Sequence, residues 1–251
     1  MIGSLSTTDT DPIKESAIYR LICLSSGTLI IKLKMQLNLV LFCGKPTIPE
    51  VIFQEGKIII LDFPIKSYLD SGIYAQGLFK LLFQQAVERR VYQPEKDIPV
   101  FLWVDESQNF LNTYDQIFQT TARSAGVSTV FITQNISNYY VAIGGKNPEA
   151  RVNSLLGNLS TKIFHNNNDY VTNEWASKLI GKTWKNIESM NIGQTQSFGL
   201  SKQYHWEVEP SEFSRLRKGG ENNDFEVDAV IVMSDEVASE KNYLFRTFKQ
   251  K

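Results

Sequence analysis

From Gly56 onward, short apolar runs alternate with longer stretches whose apolar positions recur at helical spacing. Lys57-Ile58-Ile59-Ile60-Leu61 ends at Asp62-Phe63-Pro64 and predicts a strand covered on both faces. Ser71 to Arg90 predicts a helix, with Ile73, Leu78, Leu81, Leu82, Phe83 and Val87 as its apolar face. Pro99 to Val104 predicts a second buried strand, ending at Asp105-Glu106, and a helix is expected to follow through about Arg123. Ser128 to Ile132 predicts a third strand, ending at Thr133-Gln134-Asn135. The order continues with a helix near Pro148–Leu156, a strand at Leu159–Phe164 and a helix at Tyr170–Leu179. Strand–helix alternation with short links predicts an α/β fold, a parallel sheet flanked by helices. After Gly181 the character changes. Asn191 to Ser201 is polar, Glu207–Leu216 can hold a short helix, and Glu226–Met233 and Tyr243–Phe248 predict strands of a β-rich C-terminal extension. Residues 1–47 mix helix and strand signals and form an ill-defined N-terminal segment, leaving 48–251 as the readable domain.

Composition narrows this picture only slightly. The chain has 251 residues and a formal net charge of -1, so any contact with nucleic acid must come from a local patch or a ring of subunits. Arg89-Arg90, Arg215, Arg217 and Lys218 are the local basic clusters, and each reads more readily as solvated surface. Tyr139-Tyr140 could stack a base, but packing is the commoner use of paired tyrosines. Cys23, Cys43, His165 and His205 form no metal-ligand spacing. The apolar stretch 17–43 is interrupted by Arg20, Lys32 and Lys34, so no transmembrane segment is expected in this chain.

Open parallel sheets present ligands at the carboxyl ends of their strands, and three successive strands here end in Asp62, Asp105-Glu106 and Gln134. An apolar strand followed by Asp-Glu describes a Walker B element. Asp105 is then placed to hold Mg²⁺, directly or through water, and Glu106 to orient or deprotonate an attacking water. Alone, such a pair is equally the exposed end of any α/β strand. Gln134 and Arg123 also have bland readings, as a strand-end cap and a helix-end charge. Their order and short spacing strengthen the chemical reading.

The ordered set resembles the conjugative coupling proteins of type IV secretion, the TraG/TraD-type ATPases related to FtsK and HerA. Gly56 to Asp62 looks like the strand before Walker B, and Phe101 to Glu106 like Walker B itself. Arg123-Ser124-Ala125-Gly126 resembles the family's Arg-x-x-Gly turn, and Phe131 to Gln134 its sensor strand. Gly157-Asn158, Thr161 to Ile163, Asp169 and Leu179 to Lys182 resemble the strand and helix beyond. The resemblance implies a partial RecA-like fold, with Asp105 as the Mg²⁺ residue, Glu106 activating water and Gln134 sensing the γ-phosphate. Arg123 matches an arginine finger reaching a neighbouring subunit's nucleotide. It also implies ATP and Mg²⁺ as cofactors and a hexameric ring as the assembly. DNA with its relaxosome and the type IV secretion components are the implied partners, and the cytoplasmic face of a bacterial inner membrane the implied location. Two acids, an amide and a guanidinium are expected along one rim of the sheet.

No phosphate-binding loop, GxxxxGK[ST], accompanies them. Gly44-Lys45-Pro46 has proline where Ser or Thr belongs, and Gly181-Lys182-Thr183 follows Walker B instead of preceding it. The expectation is therefore a C-terminal portion of a DNA-moving ATPase that alone lacks full ATP binding, with 1–47 fitting a truncated start. The alternatives are a non-catalytic interaction module that docks on an intact ATPase subunit, and an unrelated α/β protein whose acids cap strands.

Overall fold

The computed structural model describes residues 20–23, 29–33, 49–62, 65–191, 197–234 and 241–250. Most of the N-terminal segment, including Cys43, lies outside them. The chain divides into two compact units, Met1–Thr133 and Gln134–Lys251.

In the first unit β1 (Arg20–Cys23) runs antiparallel to β2 (Leu29–Leu33), which runs parallel to β3 (Ile58–Leu61). A short helix, α1 (Val51–Gln54), precedes β3. The long helix α2 (Ile65–Arg89) has a non-helical residue at Leu69, so its regular course matches the expected Ser71–Arg90. Next come β4 (Val100–Val104), a 3-10 turn at Ser107–Asn109, α3 (Thr113–Thr121) and β5 (Val127–Phe131). Strands β4 and β5 form a separate two-stranded parallel sheet, in register from Val100↔Val127 to Val104↔Phe131. Val100 and Val127 pack with Phe83, Val87, Phe118, Ala122 and Ala125 into the core, with Leu102 against it.

Two expectations change here. Strands β3 and β4 are not covered on both faces by described residues, because Ile58, Ile60, Phe101 and Trp103 are exposed. Successive strand side chains alternate between faces, and the described helices cover only the face of Val100, Leu102 and Val104. On α2 the buried stripe is Phe79, Phe83, Ala86 and Val87, while Leu78 and Leu82 are exposed. Lys80 and Gln84 are buried on that helix, for a reason given below.

The second unit opens with α4 (Ile136–Ile143) and α5 (Pro148–Gly157), then β6 (Thr161–Phe164) and α6 (Tyr170–Ile180). A hairpin follows, β7 (Lys182–Asn191) with β8 (Ser197–Trp206). After α7 (Pro210–Phe213) come β9 (Glu226–Met233) and β10 (Tyr243–Lys249). Strand β6 does not continue a parallel sheet. It pairs antiparallel with β9, which pairs antiparallel with β10. Its four residues gave no cue to direction. The hairpin also escaped the sequence reading, since a ribbon with Trp184 and Tyr204 both exposed shows no core-facing alternation. Ala176, Ile180, Val208, Phe213, Val230, Val232 and Tyr243 form the core of this unit.

Candidate functional site

Asp105 and Glu106 stand at the carboxyl end of β4, directly after Val104. Asp105 is exposed, and its Oδ1 accepts a hydrogen bond from the Glu106 amide at 2.9 Å. Glu106 takes the left-handed conformation, φ 46 and ψ 45, which is rare for a residue with a Cβ. The chain turns there and is bolted to the end of β5. The Ser107 amide and hydroxyl both donate to the Ile132 carbonyl, each at 2.9 Å, and the Ile132 amide donates to the Val104 carbonyl at 2.9 Å. Ser107 is fully buried by this arrangement.

Two further polar side chains meet Glu106. Gln108 donates from Nε2 to Glu106 Oε2 at 2.5 Å, and the Thr133 hydroxyl donates to Gln108 Oε1 at 2.7 Å. Gln108 was not named in the sequence reading, and Thr133 entered it only as part of the strand end before Gln134, because a polar residue after a strand carries no distinctive spacing.

A helix-to-helix clamp holds the segment beyond the turn. Asp115 caps α3, its Oδ2 accepting from the Asn112 amide at 2.8 Å while the Asn112 side chain accepts from the amides of Tyr114 and Asp115. The same carboxylate receives Lys80 Nζ at 2.6 Å and Gln84 Nε2 at 2.8 Å. Asp115, Lys80 and Gln84 are all buried. Burial pushes the Lys80 ammonium below the usual lysine range, against the opposing pull of Asp115. Lys80 and Asp105 both line a cavity of about 710 Å³ whose walls are mostly the apolar residues of β3, β4 and α2.

Arg123 is exposed on the turn between α3 and β5. That turn closes with the Gly126 amide on the Arg123 carbonyl at 3.1 Å. Gly126 has φ +65, and a Cβ there would come within 2.5 Å of the Tyr92 ring, so glycine is required. The turn precedes β5, whereas Asp105 follows β4, and the two strands are parallel. Arg123 thus lies at the opposite end of this sheet, a separation of roughly 17 Å for five residues at about 3.3 Å each. The expected single rim does not include the guanidinium. Gln134 opens the second unit, where its carbonyl accepts from Asn167 Nδ2 at 2.7 Å.

The basic clusters are largely engaged elsewhere. Arg90 donates to the carbonyls of Ala125 (2.6 and 3.0 Å), Gly126 (3.1 Å) and Ile98 (3.2 Å), and lies over the rings of Phe53 and Tyr92. Arg217 is paired with Asp228 and Glu226. Tyr139 is buried, which fits packing and not base stacking.

Among the described residues no three His, Cys, Asp or Glu side chains gather as a metal cage. The exposed hard oxygens of Asp105 fit a Mg²⁺ that draws its other ligands from water and phosphate. Among the described residues no helix is long and apolar enough to cross a membrane.

Residues 99–218 match a family model described as the TraM recognition site of TraD and TraG. No curated protein matches the chain. Among solved structures it is similar to the bacterial conjugative coupling protein TrwBdeltaN70 in an unbound form, with 16% identity and a TM-score of 0.53 over 75% of this chain and 40% of that one. It is also similar to the plasmid coupling protein TrwB in complex with a non-hydrolysable GTP analogue, with 15% identity, a TM-score of 0.51, and 75% and 39% coverage. A third match is TrwB with a non-hydrolysable ATP analogue, at 15% identity, TM-score 0.52, and 75% and 39% coverage. The chain spans about 40% of the length of these proteins, and the likeness to them is one of fold. Over 99–218 the chain thus matches the TraD and TraG family model, and its fold is similar to that of the coupling protein TrwB.

Proposed function

We propose that this chain supplies the water-activating half of a nucleotide motor that moves DNA in conjugation or type IV secretion. The observation that carries the reading is the Asp105-Glu106 pair at the carboxyl end of a parallel strand, in the segment that matches the TraD and TraG family. Asp105 would hold the Mg²⁺ of a bound nucleoside triphosphate. That ion would supply charge neutralisation at the phosphates. Glu106 would orient and deprotonate the attacking water, and Gln134 would read the γ-phosphate through its amide. Arg123, at the far end of the β4–β5 sheet, would act on the nucleotide of an adjacent subunit in a ring. The phosphate grip would come from outside these 251 residues, since their sequence has no P-loop. The TrwB complexes with nucleotide analogues support a nucleotide in this fold. In this reading the assembly works at the cytoplasmic face of the inner membrane.

Calorimetry with Mg·ATP, on the assembly purified through a tag on this chain, tests the metal role. Saturable binding that weakens at least tenfold in Asp105→Asn supports it. Equal affinity in both proteins removes Asp105 from the site.

A second reading rests on the family description itself. The matched segment is a recognition site for TraM in TraD and TraG, and the chain would then serve to dock a relaxosome component. A pull-down with purified TraM tests it. Retention on 99–218 supports that role, and no retention removes it.

A further inference from the structure

Thr133, just beyond β5, is joined to Glu106 through Gln108 by two side-chain hydrogen bonds. The Thr133 hydroxyl donates to Gln108 Oε1 at 2.7 Å, and Gln108 Nε2 donates to Glu106 Oε2 at 2.5 Å. The amide has only one workable orientation here. Reversed, its carbonyl would face the carboxylate with no proton between them, a contact that costs free energy in half-buried surroundings. The backbone beneath is equally fixed. Ser107 ties the turn to Ile132 through two hydrogen bonds, and Ile132 lies next to Thr133. Glu106 also occupies the left-handed region, where a non-glycine residue persists only if its surroundings hold it.

On the reading that Glu106 activates water, we infer that Gln108 is a positioning residue for that carboxylate and that Thr133 sets its orientation. Gln108 touches no reacting atom. It holds one orientation of the Glu106 carboxylate through the hydrogen bond to Oε2. Thr133 directly precedes Gln134, the residue proposed to sense the γ-phosphate. A shift just beyond β5 is therefore transmitted through one amide to the Glu106 carboxylate.

The test compares ATP hydrolysis by the tagged assembly carrying Gln108→Leu, Thr133→Val, both together, Thr133→Ser or Glu106→Gln. Gln108→Leu and Thr133→Val are each expected to lower kcat roughly tenfold or more, with KM unchanged. The double variant is expected to be no slower than Gln108→Leu alone, because both changes cut one chain. Thr133→Ser restores the hydroxyl and the wild-type rate. Wild-type kcat in Gln108→Leu and Thr133→Val, beside an inactive Glu106→Gln, overturns the relay and leaves the proposed function standing. An active Glu106→Gln defeats the proposed function itself. A readout independent of turnover is the side-chain amide NMR signal of Gln108 in the chain alone. It is expected to move in both Thr133→Val and Glu106→Gln, and a signal that stays in place overturns the relay.

Discussion

Lys80 and Asp115 meet as a buried ion pair, Nζ to Oδ1 2.6 Å, joining the middle of α2 to the first turn of α3. The pair determines where the segment after Glu106 re-enters the core. Asp115 caps α3, and α3 contributes Phe118 to the same core as Val100 of the acidic strand.

Removing one partner of a buried pair leaves a charge without compensation, at about 3–5 kcal/mol. Asp115→Ala is expected to fall in that range, since it strands Lys80 and removes the Asp115 half of the α3 capping box together. Lys80→Met is expected to cost less, because Gln84 and the Asn112 amide still serve the carboxylate. Urea denaturation of each variant measures this. A loss below about 1 kcal/mol for Asp115→Ala would contradict the account.

Arg90 is expected to behave as a structural residue. Arg90→Lys retains the charge but loses the planar fork that reaches three carbonyls, and should cost about 1–3 kcal/mol. DNA affinity of the folded variant, measured by fluorescence anisotropy, should match the wild type. Weaker DNA binding at unchanged stability would return Arg90 to the candidate interface.

Acid should destabilise the second unit. The hydrogen bond from Arg217 holds the Asp228 carboxyl well below the usual range, with Thr247 assisting and burial opposing. Burial pushes Asp169 upward, yet the hydrogen bonds from Thr172 and Ser137 bring it below its usual range. A carboxyl depressed in the folded state contributes stability above its unfolded pKa, about 3.9, and loses it as pH falls through the folded value. Urea midpoints are therefore expected to hold from neutral pH to about 5 and decline below about 4. Asp228→Asn should flatten that decline. A midpoint that rises on acidification below that range would reverse the assignment.

Trp103 is exposed on the uncovered face of β4, so Trp103→Thr should change the stability of the chain by less than about 0.5 kcal/mol. Thermal unfolding checks it. A loss of about 2 kcal/mol or more would mean that this face is packed in solution.

Strands β3, β4 and β5 were legible because each is an apolar run with a polar stop, and the acids stood out because they terminate such a run. The covering of those strands was not legible. Phe101 and Trp103 look like core residues in sequence, and only the count of layers around β4 shows them exposed. The burial of Lys80 and Gln84 was not legible either, because their partner Asp115 lies more than thirty residues away. Arg123 was read by its order after Asp105, but parallel strands place a residue before β5 and one after β4 at opposite ends. Gln108 and Thr133 become informative only through the two hydrogen bonds that join them to Glu106.

The most direct test of the central claim is single-turnover ATP hydrolysis by the tagged assembly, wild type against Glu106→Gln. If Glu106 is the general base proposed above, its loss is expected to slow the chemical step by about 10²–10⁴, with Mg·ATP binding retained. Hydrolysis at the wild-type rate would show that the Asp-Glu pair merely ends a strand.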